Sequence, residues 1–372
     1  MTLALRLADE IAKTLQRNGP LWSLREEWCS QTFQQAHAIR AMLGAHRLRP
    51  RGAYLEAACD WADMTLRLQG THGHPDRYNM GYGFRIRKGV PQNWFVADCG
   101  TVAVALLDVA ALLGASDPLR QRILDSVCRF ADDVAREWTL SDGSITLGYM
   151  DFERLNKKAY HCANAQSNLF LWPLAAMTGQ DVYRRRALAA TRWMAGWRGY
   201  DEGYYGSPIH DRAYNGESLC VSLAWLPASE ASLRRRIMAN LSRHIVDWAV
   251  RGHGSLWHKG GKPSHAKDPL LLLVLRLYQQ RVRDSAPVSA VVRKAYSEEA
   301  RNVAQAFSRL AKSGASGEAI AIHTKPGWLL QNVTLPKFYT TDGITGMALV
   351  VSEDPAALFP LGGAAVAAGR PS

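Results

Sequence analysis

The sequence predicts an all-α protein built as a closed ring of helix pairs. Three observations carry that expectation. Helical periodicity runs through most of the 372 residues, segments with one polar face alternate with segments apolar nearly all round, and the alternation recurs six times. Apolar residues make up 47% and charged residues 21%, the balance of a globular chain rather than a disordered one. A chain of this length buries a full core without disulfides or metals.

Leu3 to Gln16 opens the chain with one apolar stripe, and Thr32 to Leu43 follows, apolar on almost every side. A helix of the second kind is buried within a larger assembly. The pairing then repeats. Gly52 to Gln69 is half polar and Cys99 to Leu113 apolar throughout; Asp117 to Trp138 is half polar and Ala165 to Met177 apolar. Asp181 to Trp197 and Glu230 to Val250 each carry an arginine run, Arg184 to Arg186 and Arg234 to Arg236, with apolar Ser218 to Leu226 between them. Pro269 to Tyr278, Ser297 to Lys312 and Ile344 to Val351 complete the set. Six buried helices inside six half-exposed ones make an (α/α)6 toroid over residues 1–354, a single domain, because no linker rich in Pro, Gly or Ser divides it. The tail from 355 to 372, ending GGAAVAAGRPS, reads as loose. An open solenoid is the alternative, and it would need polar capping repeats at its ends.

The connections are uneven. Turns from a buried helix to the next exposed one are short, as in LLGASDP and MTGQD. The return connections are long and rich in Gly, aromatic and polar residues: Thr71 to Ala97, Thr139 to Cys162, Arg198 to Glu217, Gly252 to Asp268 and Ser313 to Asp342. In a ring, these long segments share one rim, and long loops on a rigid scaffold are where function usually sits.

Charge and composition exclude several classes. The 45 basic against 33 acidic residues leave a net charge of +12, which favours an anionic partner. No apolar run approaches the length needed to span a bilayer, and Arg6, Asp9 and Glu10 interrupt any secretory core, so no membrane association is expected. Six cysteines lie singly with no CxxC pair, which reads as reduced thiols in a cytoplasmic protein. Nucleic acid is not the expected partner, because the arginine runs fall on outer helices where charge is usually solvated. No metal or cofactor is expected either. His253, His258 and His265 lack the paired spacing of a zinc helix, and no phosphate loop or nucleophile elbow is present.

The long segments hold the candidates. The first offers Arg85, Trp94 and Asp98, with Asp98 at the start of the second buried helix, where capping is the structural alternative to catalysis. The second offers Tyr149, Arg154, His161 and Asn164; Asn164 opens an apolar helix and must find a partner in a ligand or in a neighbouring group. The third offers Tyr204, Tyr205, His210 and Glu217, the last expected in the first turn of a buried helix. Trp257, Tyr339 and Asp342 follow. Aromatic rings interleaved with acids, amides, histidine and arginine suit a sugar, whose apolar faces stack on rings while its hydroxyls bond the polar groups. Trp94, Tyr149, Tyr204, Tyr205 and Trp257 are therefore expected to line one central cavity with Asp98 at its floor, the alternative being that they pack the loops together.

Two stretches carry a family resemblance. ADCGTVAVALLDVAALLG, with Asp-x-Gly at the second inner helix, and NLFLWPLAAMTGQDVYRRRA, with its TG-D turn, resemble the (α/α)6-toroid carbohydrate-active enzymes and, among them, the unsaturated glucuronyl and rhamnogalacturonyl hydrolases. The resemblance covers under a quarter of the chain. It implies that Asp98 holds a catalytic acid's place, whereas the second catalytic Asp would fall near Ala163 or Asn164, where no carboxylate stands. The expected function is thus a glycoside hydrolase acting on a uronate-containing oligosaccharide. Asp98 would pair with Glu217 or Asp342 as general acid and base, and Arg85, Arg154 and His161 would hold the uronate carboxylate. A polysaccharide lyase or uronyl epimerase using His161, Asn164, Arg154 and Tyr339 is the alternative, and a non-catalytic glycan-binding toroid is a third.

Overall fold

The computed structural model describes residues 1–18, 28–29, 32–70, 81–82, 85–87, 90–150, 153–201, 208–251, 268–281, 286–313 and 340–359. Six helices form the inner layer: α2 (Thr32–Leu48), α4 (Val96–Ala110), α6 (His161–Thr178), α8 (Pro208–Trp225), α11 (Asp268–Arg281) and α13 (Thr340–Glu353). Each packs on the next, and α13 packs on α2, so the ring closes. The outer layer is α1 (Leu3–Asn18), α3 (Gly52–Arg67), α5 (Pro118–Glu137), α7 (Asp181–Gly196), the pair α9 (Ala231–Asn240) and α10 (Asp247–Arg251), and α12 (Ala286–Ser313). The turn between α9 and α10, Leu241–Val246, is widened into a π-turn. The expected (α/α)6 toroid is the observed fold.

Short turns force each inner helix to run antiparallel to the outer helix that follows it. All six inner helices therefore run in one sense, and their N-terminal ends share the rim that carries the long connections. Asp117 caps α5 by accepting a hydrogen bond from the Leu119 amide, with Pro118 in the first turn, and Gly179 ends α6 in the left-handed conformation at φ +70°. These local stops keep the opposite rim tight.

The inner helices begin earlier than periodicity predicts. α4 starts at Val96 rather than Cys99, α6 at His161 rather than Ala165, and α8 at Pro208 rather than Ser218. The first half of α8 reads as loop because Asp211, Arg212, Asn215 and Glu217 interrupt any apolar pattern, yet all four are buried. Glu217 therefore sits in mid-helix and not in a first turn, which corrects the expectation that the helix dipole favours it.

Strands were absent from the helical periodicity, but the rim carries a five-stranded antiparallel meander. Its strands, in sheet order, are β1 (Trp28–Cys29), β2 (Arg85–Arg87), β3 (Val90–Phe95), β4 (Thr146–Met150) and β5 (Glu153–Ala159). The chain also stays packed beyond residue 354: Ala357, Leu358 and Phe359 are buried. Arg47 donates to the Ala357 carbonyl and pairs with Asp108, whose carboxyl is pushed upward by burial and drawn back down by Arg47 and Arg40. The expected boundary at 354/355 thus lies inside the packed structure.

Some polar groups inside the ring bond one another across helices. Asn168 donates to Ser218 Oγ at 2.9 Å and accepts from Thr191 Oγ1 at 3.0 Å, tying α6 to α7 and α8. Cys59, Cys99, Cys128, Cys162 and Cys220 are free thiols. Among the described residues, no helix is long and apolar enough to cross a membrane.

Candidate functional site

Three consecutive inner helices bring a titratable residue each to the rim that carries the long connections. Asp98 is the third residue of α4, His161 the first of α6, and Asp211 the fourth of α8. Phe95 holds the N-cap position of α4 with no side-chain hydrogen bond, so Asp98 stands in the first turn, half-buried, and does not serve as the cap. His161 Nε2 lies 2.6 Å from Asp211 Oδ1, with both side chains about 5% exposed or less. In the tautomer that donates Nε2–H to the carboxylate, Nδ1 is the acceptor nitrogen of the ring.

The surroundings of His161 fix its plane. Trp197 stacks on it at 6.0 Å between centroids, and Tyr160 lies 4.7 Å away on a tilted plane. Cys162 Sγ is 3.0 Å from the same Nε2 that faces Asp211. A thiol nucleophile activated by a His–acid relay needs thiol and acid on opposite ring nitrogens. Here both face one nitrogen, so the arrangement acts as a His–Asp pair. The chain's sequence held a faint signal for Asp211, one acid among many in the third connection, but nothing in it paired that acid with His161.

Glu217 lies elsewhere. Its Oε1 accepts from Arg40 Nη2 at 2.9 Å, and the two side chains are 1% and 0% exposed. α2 and α8 stand three places apart in the six-membered ring, so this ion pair crosses its axis at mid-depth. Glu217 is therefore held in an internal ion pair at mid-depth, away from the rim where Asp98 stands.

Asn164 is corrected as well. Its Oδ1 accepts from the Ile145 amide at 3.0 Å, while Nδ2 donates to the carbonyls of Ile145 at 2.9 Å and Tyr160 at 2.8 Å. Both of its amide hydrogens bond the chain itself, so it clips the long connection to α6 rather than meeting a ligand.

The sheet gathers four more expected residues. Trp94 is paired with Tyr149, Tyr149 with Arg154, and Arg85 with Asn93, so their backbones lie side by side at the rim. Trp94 and Tyr149 are fully buried, packed on Trp138 at 5.3 and 4.9 Å, and they fill the space under the sheet rather than line an open cavity. Gly148, at φ +125°, makes this close approach possible, since a Cβ there would stand 2.2 Å from the Trp94 carbonyl. The side chains of Arg85, Arg154, His210 and Asp342 lie outside the described residues, as do Tyr204, Tyr205, Trp257 and Tyr339 altogether. Among the described residues no group of His, Cys, Asp and Glu could hold a metal ion.

No protein-family model and no curated protein matches this chain. Solved structures do. An unsaturated glucuronyl hydrolase from Bacillus sp. GL1, responsible for the degradation of glycosaminoglycan, superposes with a TM-score of 0.60 at 12% identity, covering 94% of this chain and 96% of that one. A family 76 glycoside hydrolase from a bovine Bacteroides thetaiotaomicron strain gives 0.59 at 11% identity over 95% of this chain and 78% of that one. A cellobiose 2-epimerase from Spirochaeta thermophila gives 0.55 at 13% identity over 90% and 88%. At such identities the likeness is one of architecture, and the chain has the (α/α)6 toroid fold that is common to these carbohydrate-active enzymes.

Proposed function

We propose that this protein is a carbohydrate-active enzyme, a glycoside hydrolase acting on a uronate-containing oligosaccharide at the rim formed by the N-terminal ends of the inner helices. The observation that carries the reading is the 2.6 Å contact of His161 with Asp211, one helix along from Asp98 on the same rim. Glycosidic cleavage needs one group to protonate the leaving oxygen and another to activate water. Asp98 is the carboxylate of the pair. The His161–Asp211 couple supplies the second proton-handling group in place of the carboxylate missing near Ala163 and Asn164. An acidic substrate is supported by the net charge of +12, by Arg85 and Arg154 on the rim sheet, and by six helix N-termini that favour negative charge there. The free cysteines support a reducing, cytoplasmic setting.

The same His–Asp couple favours a second reading. An imidazole oriented by a carboxylate is a suitable base for the proton beside a uronate carboxyl, the first step of a lyase or an epimerase. One experiment separates the two. Uronate-containing oligosaccharides, with saturated and with unsaturated ends, are incubated with the enzyme in deuterated water. New reducing ends without deuterium at the sugar carbons are the expected result. A new ultraviolet-absorbing product identifies a lyase, and deuterium without cleavage identifies an epimerase. Asp98→Asn and His161→Ala are each expected to lower kcat by roughly 10²–10⁴-fold. Unchanged turnover in a folded Asp98→Asn protein removes Asp98 from the mechanism.

A further inference from the structure

We propose that the π-turn of the outer layer is a positioning device for this site, because two of the residues that fix His161, Asp211 and Trp197, are tied to it. The proposal rests on the reading of His161 as a proton-handling group.

The first hold runs through Arg212. Asp211 and Arg212 are neighbours near the start of α8, and Arg212 reaches outward while Asp211 faces His161. Arg212 Nε donates to the carbonyl of His244, inside the π-turn, at 2.8 Å, and Nη1 donates to the Tyr200 carbonyl at 2.9 Å. Its guanidinium lies over the Trp248 ring, 4.5 Å from the centroid, just beyond the π-turn. A widened turn displaces its carbonyls from ordinary α-helical pairing, which makes one of them available to a side chain from another element. Two carbonyls and one aromatic face leave Arg212 a single position, and with it the backbone that carries Asp211.

The second hold runs through Asn240, the residue immediately before the π-turn. Its Nδ2 donates to the Trp197 carbonyl at 3.1 Å and to the Ala195 carbonyl at 3.2 Å, and its Oδ1 accepts from the Tyr200 hydroxyl at 2.7 Å. Trp197 is the ring stacked on His161. Tyr200 in turn stacks on His244 at 5.3 Å, joining the two holds. The hydrogen-bond partner of His161 and its stacking partner are thus tied to one turn of one outer helix. π-Turns are rare and occur often at functional sites, and this one has a stated task.

The test reads the imidazole itself. In the full-length ¹⁵N-labelled protein, the His161 ring nitrogens are assigned by comparison with His161→Gln and followed through a pH titration. Arg212→Lys keeps the charge but cannot span both carbonyls, and Asn240→Ala releases Trp197. Both are expected to move the His161 ring resonances and titration midpoint toward those of Asp211→Asn, and to lower turnover roughly 10–100-fold on the substrate identified above. Leu233→Ala, a core truncation on α9 away from the π-turn, controls for simple loss of stability and is expected to leave the His161 signals in place. Wild-type His161 signals in both Arg212→Lys and Asn240→Ala, or equal displacement in Leu233→Ala, overturn the device. Signals that move while turnover stays unchanged support the device and overturn the catalytic role of His161, so the two failures are distinguishable.

Discussion

Arg40 and Glu217 meet across the axis of the ring with almost no contact with water. Among the described residues, Arg40 Nε and Nη1 and Glu217 Oε2 are buried without a partner, and the 2.9 Å bond is the compensation the two charges give each other. Removing one partner from such a pair leaves an uncompensated buried charge, whereas replacing both with apolar residues of similar volume is often neutral or stabilising. Glu217→Ala is expected to lower stability by about 3–5 kcal/mol in urea denaturation, and Arg40→Met with Glu217→Leu to restore most of it. A Glu217→Ala protein as stable as the wild type would show that the pair is not a structural tie across the ring.

At the scale of elements, the rim depends on side chains that bond backbone across element boundaries. Asn164 is the clearest case, clipping Ile145 at the edge of β4 to the start of α6 with two hydrogen bonds and bonding the Tyr160 carbonyl with a third. Isolated polar backbone groups in a buried setting cost roughly 1–3 kcal/mol when their partner is lost. Asn164→Leu is accordingly expected to destabilise the fold by about 2 kcal/mol and to raise amide exchange at Ile145 above that of the α6 core. Wild-type protection at Ile145 would place the hairpin's anchorage elsewhere, in the Trp94–Trp138–Tyr149 cluster.

For the whole molecule, the decisive contact is the one that turns a row of helix pairs into a ring. α13 and α2 close it through small residues: a Cβ on Gly343 would stand 2.5 Å from the Ala38 amide nitrogen, and one on Gly346 would stand 2.7 Å from the Ala41 Cβ. Gly44 answers from α2, packed against Val350. Since the obstacle at Gly343 is backbone, the helices themselves must separate to admit a side chain. Gly343→Val is expected to lower stability by roughly 1–3 kcal/mol, as overpacking does, and to loosen both ends of the chain together. Proteolysis that nicks only α13 while α1 and α2 stay protected would contradict a seam shared by both.

The alternation of half-polar and wholly apolar helices was legible in the sequence because burial writes itself into periodicity. A helix with one wet face needs an apolar stripe, and one enclosed on every side needs apolar residues all round. That pattern, repeated six times with short turns on one side and long connections on the other, determined the toroid, the rim that carries its long connections and the place of Asp98 at the start of an inner helix. It could not determine which polar residues meet, because buried polar groups are stabilised by partners distant in sequence. Glu217 looked like a rim acid until Arg40, 177 residues away, occupied it. Asn164 looked like a ligand contact until the Ile145 backbone did the same. The His161–Asp211 pair, the β-meander within the long connections and the early start of α8 were likewise decided by tertiary structure, which alone brings the first turns of α4, α6 and α8 to one rim. Periodicity records what a residue is buried in, and only packing decides whom it touches.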